Sequence, residues 1–195
     1  MKKNRFRIDF NSPLILGITM ISLGFLVIDM IFGKSVGIFL SAYRTSATDP
    51  MQYIRLLTHV LVHSDIGHYT SNFMMILAIG PMVEEKYGSR RLLLVTVGTA
   101  LITGLVNVVF FPGKAVLGAS GIVFMLIILA SFTNIRHGKL PITVPLVAVL
   151  YIGNEILRGL FTADNISQIS HIAGGICGAA FGAIFHSKKF RTGNT

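Results

Sequence analysis

Residues 115–135 read AVLGASGIVFMLIILASFTNI, 21 residues without a formal charge. An α-helix rises about 1.5 Å per residue and a bilayer core is about 30 Å thick, so about 20 mostly apolar residues cross it. This stretch is long enough to do so. It also carries Ser120 between Gly118-Ala119 and Gly121. Polar groups at membrane depth are costly and tend to mark function. The stretch therefore raises two questions: how many similar spans surround it, and what faces Ser120.

Working outward, five more apolar runs occur, at 13–32, 66–83, 92–111, 140–161 and 166–186. The composition agrees, with 52% hydrophobic and 13% charged residues, against about 25% charged in soluble domains. Mean hydropathy is +0.70. The expected fold is an all-α polytopic membrane protein, one domain over 1–195 with six transmembrane helices and no internal repeat. The first run is too long for a signal-peptide h-region and no small-x-small cleavage site follows it, so it is read as a retained helix. The connection from about 33 to 65 is long and carries its own apolar residues, Ile38-Phe39-Leu40, Leu56-Leu57 and Leu61-Val62. It is read as a loop partly embedded in the outer leaflet.

The net charge of +9 would suggest nucleic acid in a soluble chain. Here the basic residues cluster between apolar runs, which reads as topology, with the lipid bilayer as partner and no nucleic acid. Lys2, Lys3, Arg5 and Arg7 precede the first span. Lys86, Arg90 and Arg91 follow the second, Arg136 and Lys139 the fourth, and Lys188, Lys189 and Arg191 the sixth. These are 12 of the 17 Lys and Arg. The positive-inside rule puts both termini in the cytoplasm. The compact size fits a prokaryotic inner membrane. The single cysteine, Cys177, lies in an apolar run and permits no intramolecular disulfide.

Spans two, four and six then run from outside to inside, and they hold the informative polar residues. Span two opens with His63-Ser64-Asp65-Ile66-Gly67-His68 and continues to Asn72. Span four opens with Gly118-Ala119-Ser120-Gly121, and span six with Ser170-His171-Ile172-Ala173-Gly174. Ser120 lies 16 residues before Arg136, His171 lies 17 before Lys188, and His68 lies 16 before Glu84. All three sit about 24–26 Å above the inner boundary, near the outer surface, with Asn72 one turn deeper. Gly174, Gly178 and Gly182 recur every four residues on one face of span six. Such faces let membrane helices approach closely. A dimer contact is the alternative use of this face, but His171 shares it, which favours packing against span four.

This arrangement suits nucleophilic catalysis. A serine hydroxyl needs a base to take its proton, and imidazole serves near neutral pH. Donors must meet the oxyanion of the tetrahedral intermediate. Asn72, His68 and the Ser120 backbone N–H are the candidates. No carboxylate stands at the depth of His171, so a Ser120–His171 dyad is expected, with Phe124 one turn below Ser120 as the ring that stacks on the imidazole.

These residues resemble the rhomboid intramembrane serine proteases over nearly the whole chain. Gly118-Ala119-Ser120-Gly121 is similar to the family's Gly-x-Ser-Gly nucleophile motif. His171-Ile172-Ala173-Gly174 with Gly178 resembles its catalytic histidine and glycine face, and His68-x-x-x-Asn72 its oxyanion pair. Val83-Glu84 followed by Gly88 resembles the end of its second helix. The resemblance implies a serine endopeptidase that cleaves transmembrane substrates near the outer face, with no metal or cofactor, and with the fifth helix and a cap loop gating access. Two positions depart from the family. Tyr53-Ile54-Arg55 stands where Trp-Arg is common, and Phe124 where a tyrosine often stacks.

Each of these residues also has a plainer reading. Ser120 alone reads as a helix back-bonding serine, and Asn72 alone as interhelical glue. His59 and His63 are read as loop-structuring. With His68 they lack a fourth zinc ligand, so no metal is expected. Asn154 and Glu155 lie near the outer end of span five; Glu155 is read as interface-facing or solvated, with gating as the alternative, and Asp29 at the outer end of span one is read the same way. The rival functions are a catalytically inactive relative that binds or escorts membrane proteins, and a transporter or channel. Inactive relatives typically lack the serine or the histidine. A transporter would predict broken helices or inverted repeats, and neither is visible.

Overall fold

A computed structural model describes residues 11–133, 142, 146, 149, 150 and 165–186. The described residues form seven α-helices and a short 3-10 turn. Helix α1 is Pro13–Phe32, with proline in its first turn, and it stops at Gly33, which takes the left-handed conformation at φ 81°. Two short helices follow, α2 (Ser35–Leu40) and α3 (Pro50–Thr58), the second capped by the Asp49 side chain. A 3-10 turn, His59–Leu61, leads to α4 (Ile66–Tyr87). Gly88, at φ 83°, turns the chain into α5 (Ser89–Phe110). Helix α6 is Ser120–Thr133 and α7 is Asn165–His186.

Among the described residues, three helices are long and apolar enough to cross a membrane: Pro13–Phe32, Ser89–Phe110 and, within α7, Gln168–Phe185. The span read from sequence at 140–161, with Asn154 and Glu155, lies outside the described residues apart from positions 142, 146, 149 and 150. Within the span expected at 115–135 the helix itself starts at Ser120. Ala42 and Val116 exchange backbone hydrogen bonds of 2.9 Å, which holds the chain extended before the helix. Gly118, at φ 115°, then turns it into α6.

Helix α6 is the centre of the bundle, with every residue from Gly121 to Leu129 buried. It packs most extensively against α7, then against α4 and α5. Its all-round apolar sequence follows from that position. The α6–α7 seam is made by the glycines of α7. A Cβ on Gly174 would strike the Gly121 carbonyl, one on Gly178 the Met125 carbonyl, and one on Gly182 the Phe132 ring at 2.6 Å. On the opposite side Gly80 of α4 receives Ile15 of α1. Large apolar side chains point outward instead on α1 (Met20, Ile31, Phe32) and α5 (Leu94, Phe110).

The connection from 33 to 65 folds into α2, α3 and the 3-10 turn and is held by side-chain bonds. Arg55 donates to the Phe39 carbonyl (2.8 Å), pairs with Asp49 (3.3 Å), and lies 4.3 Å from the centre of the Tyr43 ring. Gly104 of α5 makes room for the backbone of Leu56. Asp29 corrects its expected solvated role. It is buried, and its carboxylate accepts from the Val36 and Gly37 N–H groups at 2.8 and 2.7 Å. The exposed donors at the start of α2 draw it inward.

Candidate active site

The site is built around the start of α6. The first N–H groups of a helix have no intrahelical acceptor and carry the positive end of its dipole. Ser120 is the first residue of α6, so its own N–H is one of these. The turn before it is fixed from two sides. The Gly118 N–H donates to the His59 carbonyl at 2.9 Å, and the Ala119 N–H donates to His63 Nε2 at 3.3 Å. Gly118 needs to be glycine twice over. Its φ suits only glycine comfortably, and a Cβ there would meet His68 Cε1 at 2.5 Å and Nε2 at 2.6 Å. The same atom would lie 3.7 Å from Asn72 Nδ2. His68 and Asn72 of α4 are thus brought against the turn that carries Ser120.

His171 arrives from the other side on α7. Its ring stacks on Phe124, with centroids 4.4 Å apart and planes 8° from parallel. Phe124 lies one turn below Ser120 on the same face of α6. The approach is possible because Gly174, one turn after His171, lies against the Gly121 backbone. A Cβ on Gly121 would also come within 3.6 Å of the Ser170 carbonyl. The turn of α7 bearing His171 therefore packs on the turn of α6 bearing Ser120.

Helix α4 begins with a cap that reaches the site. Asp65 Oδ1 accepts from the His68 N–H at 2.8 Å, and Oδ2 accepts from the Ser64 hydroxyl at 2.7 Å. The same hydroxyl lies 3.1 Å from His68 Nδ1. Asp65 is held below the usual carboxylate range, first by the His68 N–H and then by Ser64. Asn72 is buried and its amide donates to the His68 carbonyl at 3.1 Å.

The three histidines before and within α4 have separate partners. His59 Nδ1 lies 3.2 Å from the Arg55 carbonyl and Nε2 3.3 Å from the Thr103 hydroxyl. His63 Nδ1 lies 3.2 Å from the Ser22 hydroxyl of α1. Because His63 Nε2 accepts from Ala119, its proton sits on Nδ1 and the ring is neutral. Burial pushes both groups down to about 4, helped in His63 by the neighbouring His68 ring.

Sequence reasoning passed over two features. The Ser64–Asp65 link to His68 was readable in part, since Asp three residues before His68 at a helix start is a capping pattern. Glu84 gave less signal. It is buried and accepts from the Leu14 and Ile15 N–H groups (2.9 and 3.0 Å) and from the Ser89 hydroxyl (2.7 Å). It thereby caps α1 from the far end of α4.

The chain is similar in sequence to known proteins. The Rhomboid domain model matches residues 50–188. The chain is 29% identical over 135 residues to Rhomboid protease GluP of Bacillus subtilis (strain 168), covering 68% of this chain and 26% of that protein. It is 32% identical over 136 residues to the putative rhomboid protease YdcA of the same organism, covering 65% of this chain and 64% of that one. It is 23% identical over 168 residues to Rhomboid protease GlpG of Yersinia pestis (strain Pestoides F), covering 85% and 60% respectively. The chain spans between about a quarter and just under two thirds of the length of these relatives. Given its apolar helices and the extent of the domain match, the chain is an integral membrane protein and belongs to the rhomboid family.

Proposed function

We propose that this protein is an intramembrane serine endopeptidase that cleaves transmembrane proteins near the outer membrane face. Ser120 attacks the scissile carbonyl while His171 takes its proton, an acyl-enzyme forms, and water from the outer side hydrolyses it. Asn72, His68 and the Ser120 N–H receive the oxyanion. Gly118 and Gly121 keep the backbone close, Phe124 orients the His171 ring, and Gly174 lets α7 approach. No metal or cofactor takes part. The observation that carries this reading is the Phe124–His171 stack beside the Gly174–Gly121 contact. It sets an imidazole next to the helix start that bears the serine.

The same reading takes the chain as six membrane spans with both termini in the cytoplasm, in a prokaryotic inner membrane. The segment from α2 to α3 rests in the outer leaflet through its exposed Ile38, Phe39, Ile54 and Leu57. Substrate enters sideways, between the second and fifth spans, and small residues at the cut suit the glycine-rich surroundings. Purified protein in liposomes should cleave a transmembrane reporter, and Ser120→Ala and His171→Ala should abolish cleavage. Equal cleavage by Ser120→Ala refutes the assignment. Binding of membrane proteins without cleavage by the parent would instead mark an inactive escort.

A further inference from the structure

The network at the start of α4 constrains which nitrogen of His68 carries hydrogen. Asp65, held as a carboxylate by two donors, is acceptor-only. The single hydrogen of the Ser64 hydroxyl therefore goes to Asp65 Oδ2 at 2.7 Å. The hydroxyl oxygen is left to accept from His68 Nδ1, 3.1 Å away. Nδ1 then bears hydrogen, and in the neutral ring Nε2 is a bare lone pair. Nε2 and Cε1 form the ring edge that faces Gly118, in the turn before Ser120. A bare nitrogen there would repel an oxyanion.

We propose that Asp65, acting through the Ser64 hydroxyl, fixes the proton on His68 Nδ1, so that His68 donates to the oxyanion from Nε2 only as an imidazolium. This inference rests on the protease reading above. Asp65 is then a positioning residue, and His68 supplies a charged donor, about twice as strong as a neutral one. The hydrogen bond is donated and no proton is transferred to substrate. The extra proton comes from outer-side water, to which Ser64 and Asp65 are exposed. Among the described residues, the titratable groups facing His68 are Asp65 at its own helix start, His63 from the preceding loop with ring centroids 5.0 Å apart, and His171 from α7. His63 is neutral; Asp65 favours the charged ring, and His171 opposes it.

The test uses full-length protein labelled with 15N-histidine in detergent micelles at pH 8.5, with His68→Gln to assign the His68 ring signals. The neutral parent ring should show a protonated Nδ1 and a bare Nε2. Asp65→Asn keeps a helix cap of equal quality, but its amide donates to Ser64. The Ser64 hydroxyl then donates to Nδ1, and the proton should move to Nε2. Ser64→Ala should leave a mixture of the two forms. In cleavage assays Asp65→Asn should lose about 10-fold in kcat at pH 7 with KM nearly unchanged, since its donor becomes neutral. It should also keep a larger share of its pH 7 rate at pH 9 than the parent does. A parent ring protonated on Nε2, or a proton that stays on Nδ1 in both variants, overturns the proposal. The nitrogen signals do not depend on cleavage, so loss of the protease reading would show separately, as cleavage by Ser120→Ala.

Discussion

Gly174→Ala is the sharpest mechanical test of the site. The new methyl group would overlap the Gly121 carbonyl oxygen and lie 2.9–3.0 Å from the Gly121 carbonyl carbon and Cα. All three atoms are backbone, so no side-chain rotation relieves the overlap, and α6 and α7 must separate by about 1 Å. Overpacking of this kind costs about 1–3 kcal/mol, and a rigid backbone obstacle argues for the upper end. The melting temperature in detergent should fall on the order of 5–10 °C. Activity should fall further. His171 sits one turn before Gly174, and a displacement near 1 Å costs about 10²-fold in rate. The control is Gly175→Ala on the same helix, where the nearest atom is the flexible Ile128 side chain at 3.8 Å. It should match the parent in both assays. If Gly174→Ala melts and cleaves like Gly175→Ala, the close α6–α7 seam is wrong.

Glu84→Ala leaves the Leu14 and Ile15 N–H groups and the Ser89 hydroxyl without their acceptor, which should cost about 3 kcal/mol in thermal unfolding. Glu84→Gln should recover only part of this, because its NH2 faces donors. The buried His59 and His63 rings, held near 4 against an ordinary 6.5, stay neutral in the folded protein while the unfolded chain takes up protons. Their contribution, up to about 3 kcal/mol each, is full above pH 6.5 and lost as pH falls toward 4, so melting temperature should drop across that window. Asn72→Ala should reduce kcat by about 10²-fold with little change in melting temperature, as expected for one oxyanion donor among several.

What could be read in the chain depended on whether the cause was local. The glycine face of α7 was visible because a missing Cβ every four residues is a helical period, and the structure seats those glycines on Gly121, Met125 and Phe132. The Phe124–His171 stack followed from one-turn spacing on two apolar helices. What fixes the first residue of α6 could not be read from hydropathy, because the causes lie elsewhere in the chain: the Ala42–Val116 bridge and the carbonyl of His59. Asp29 and Glu84 look like surface acids in sequence. They are buried because each meets the free N–H groups of another helix, 7 and 8 residues away for Asp29 and 69 and 70 for Glu84. The proton position on His68 depends on a three-residue hydrogen-bond chain, which no periodicity reports.

In the proposed mechanism Ser120 is a nucleophile activated by His171. The most direct measurement is to treat the purified protein with a fluorophosphonate and map the modified residue by peptide mass spectrometry. A single adduct on Ser120 is expected, formed in the parent and lost in His171→Ala while that variant keeps its parent melting temperature. An adduct elsewhere, or equal labelling of Ser120 without His171, would contradict it.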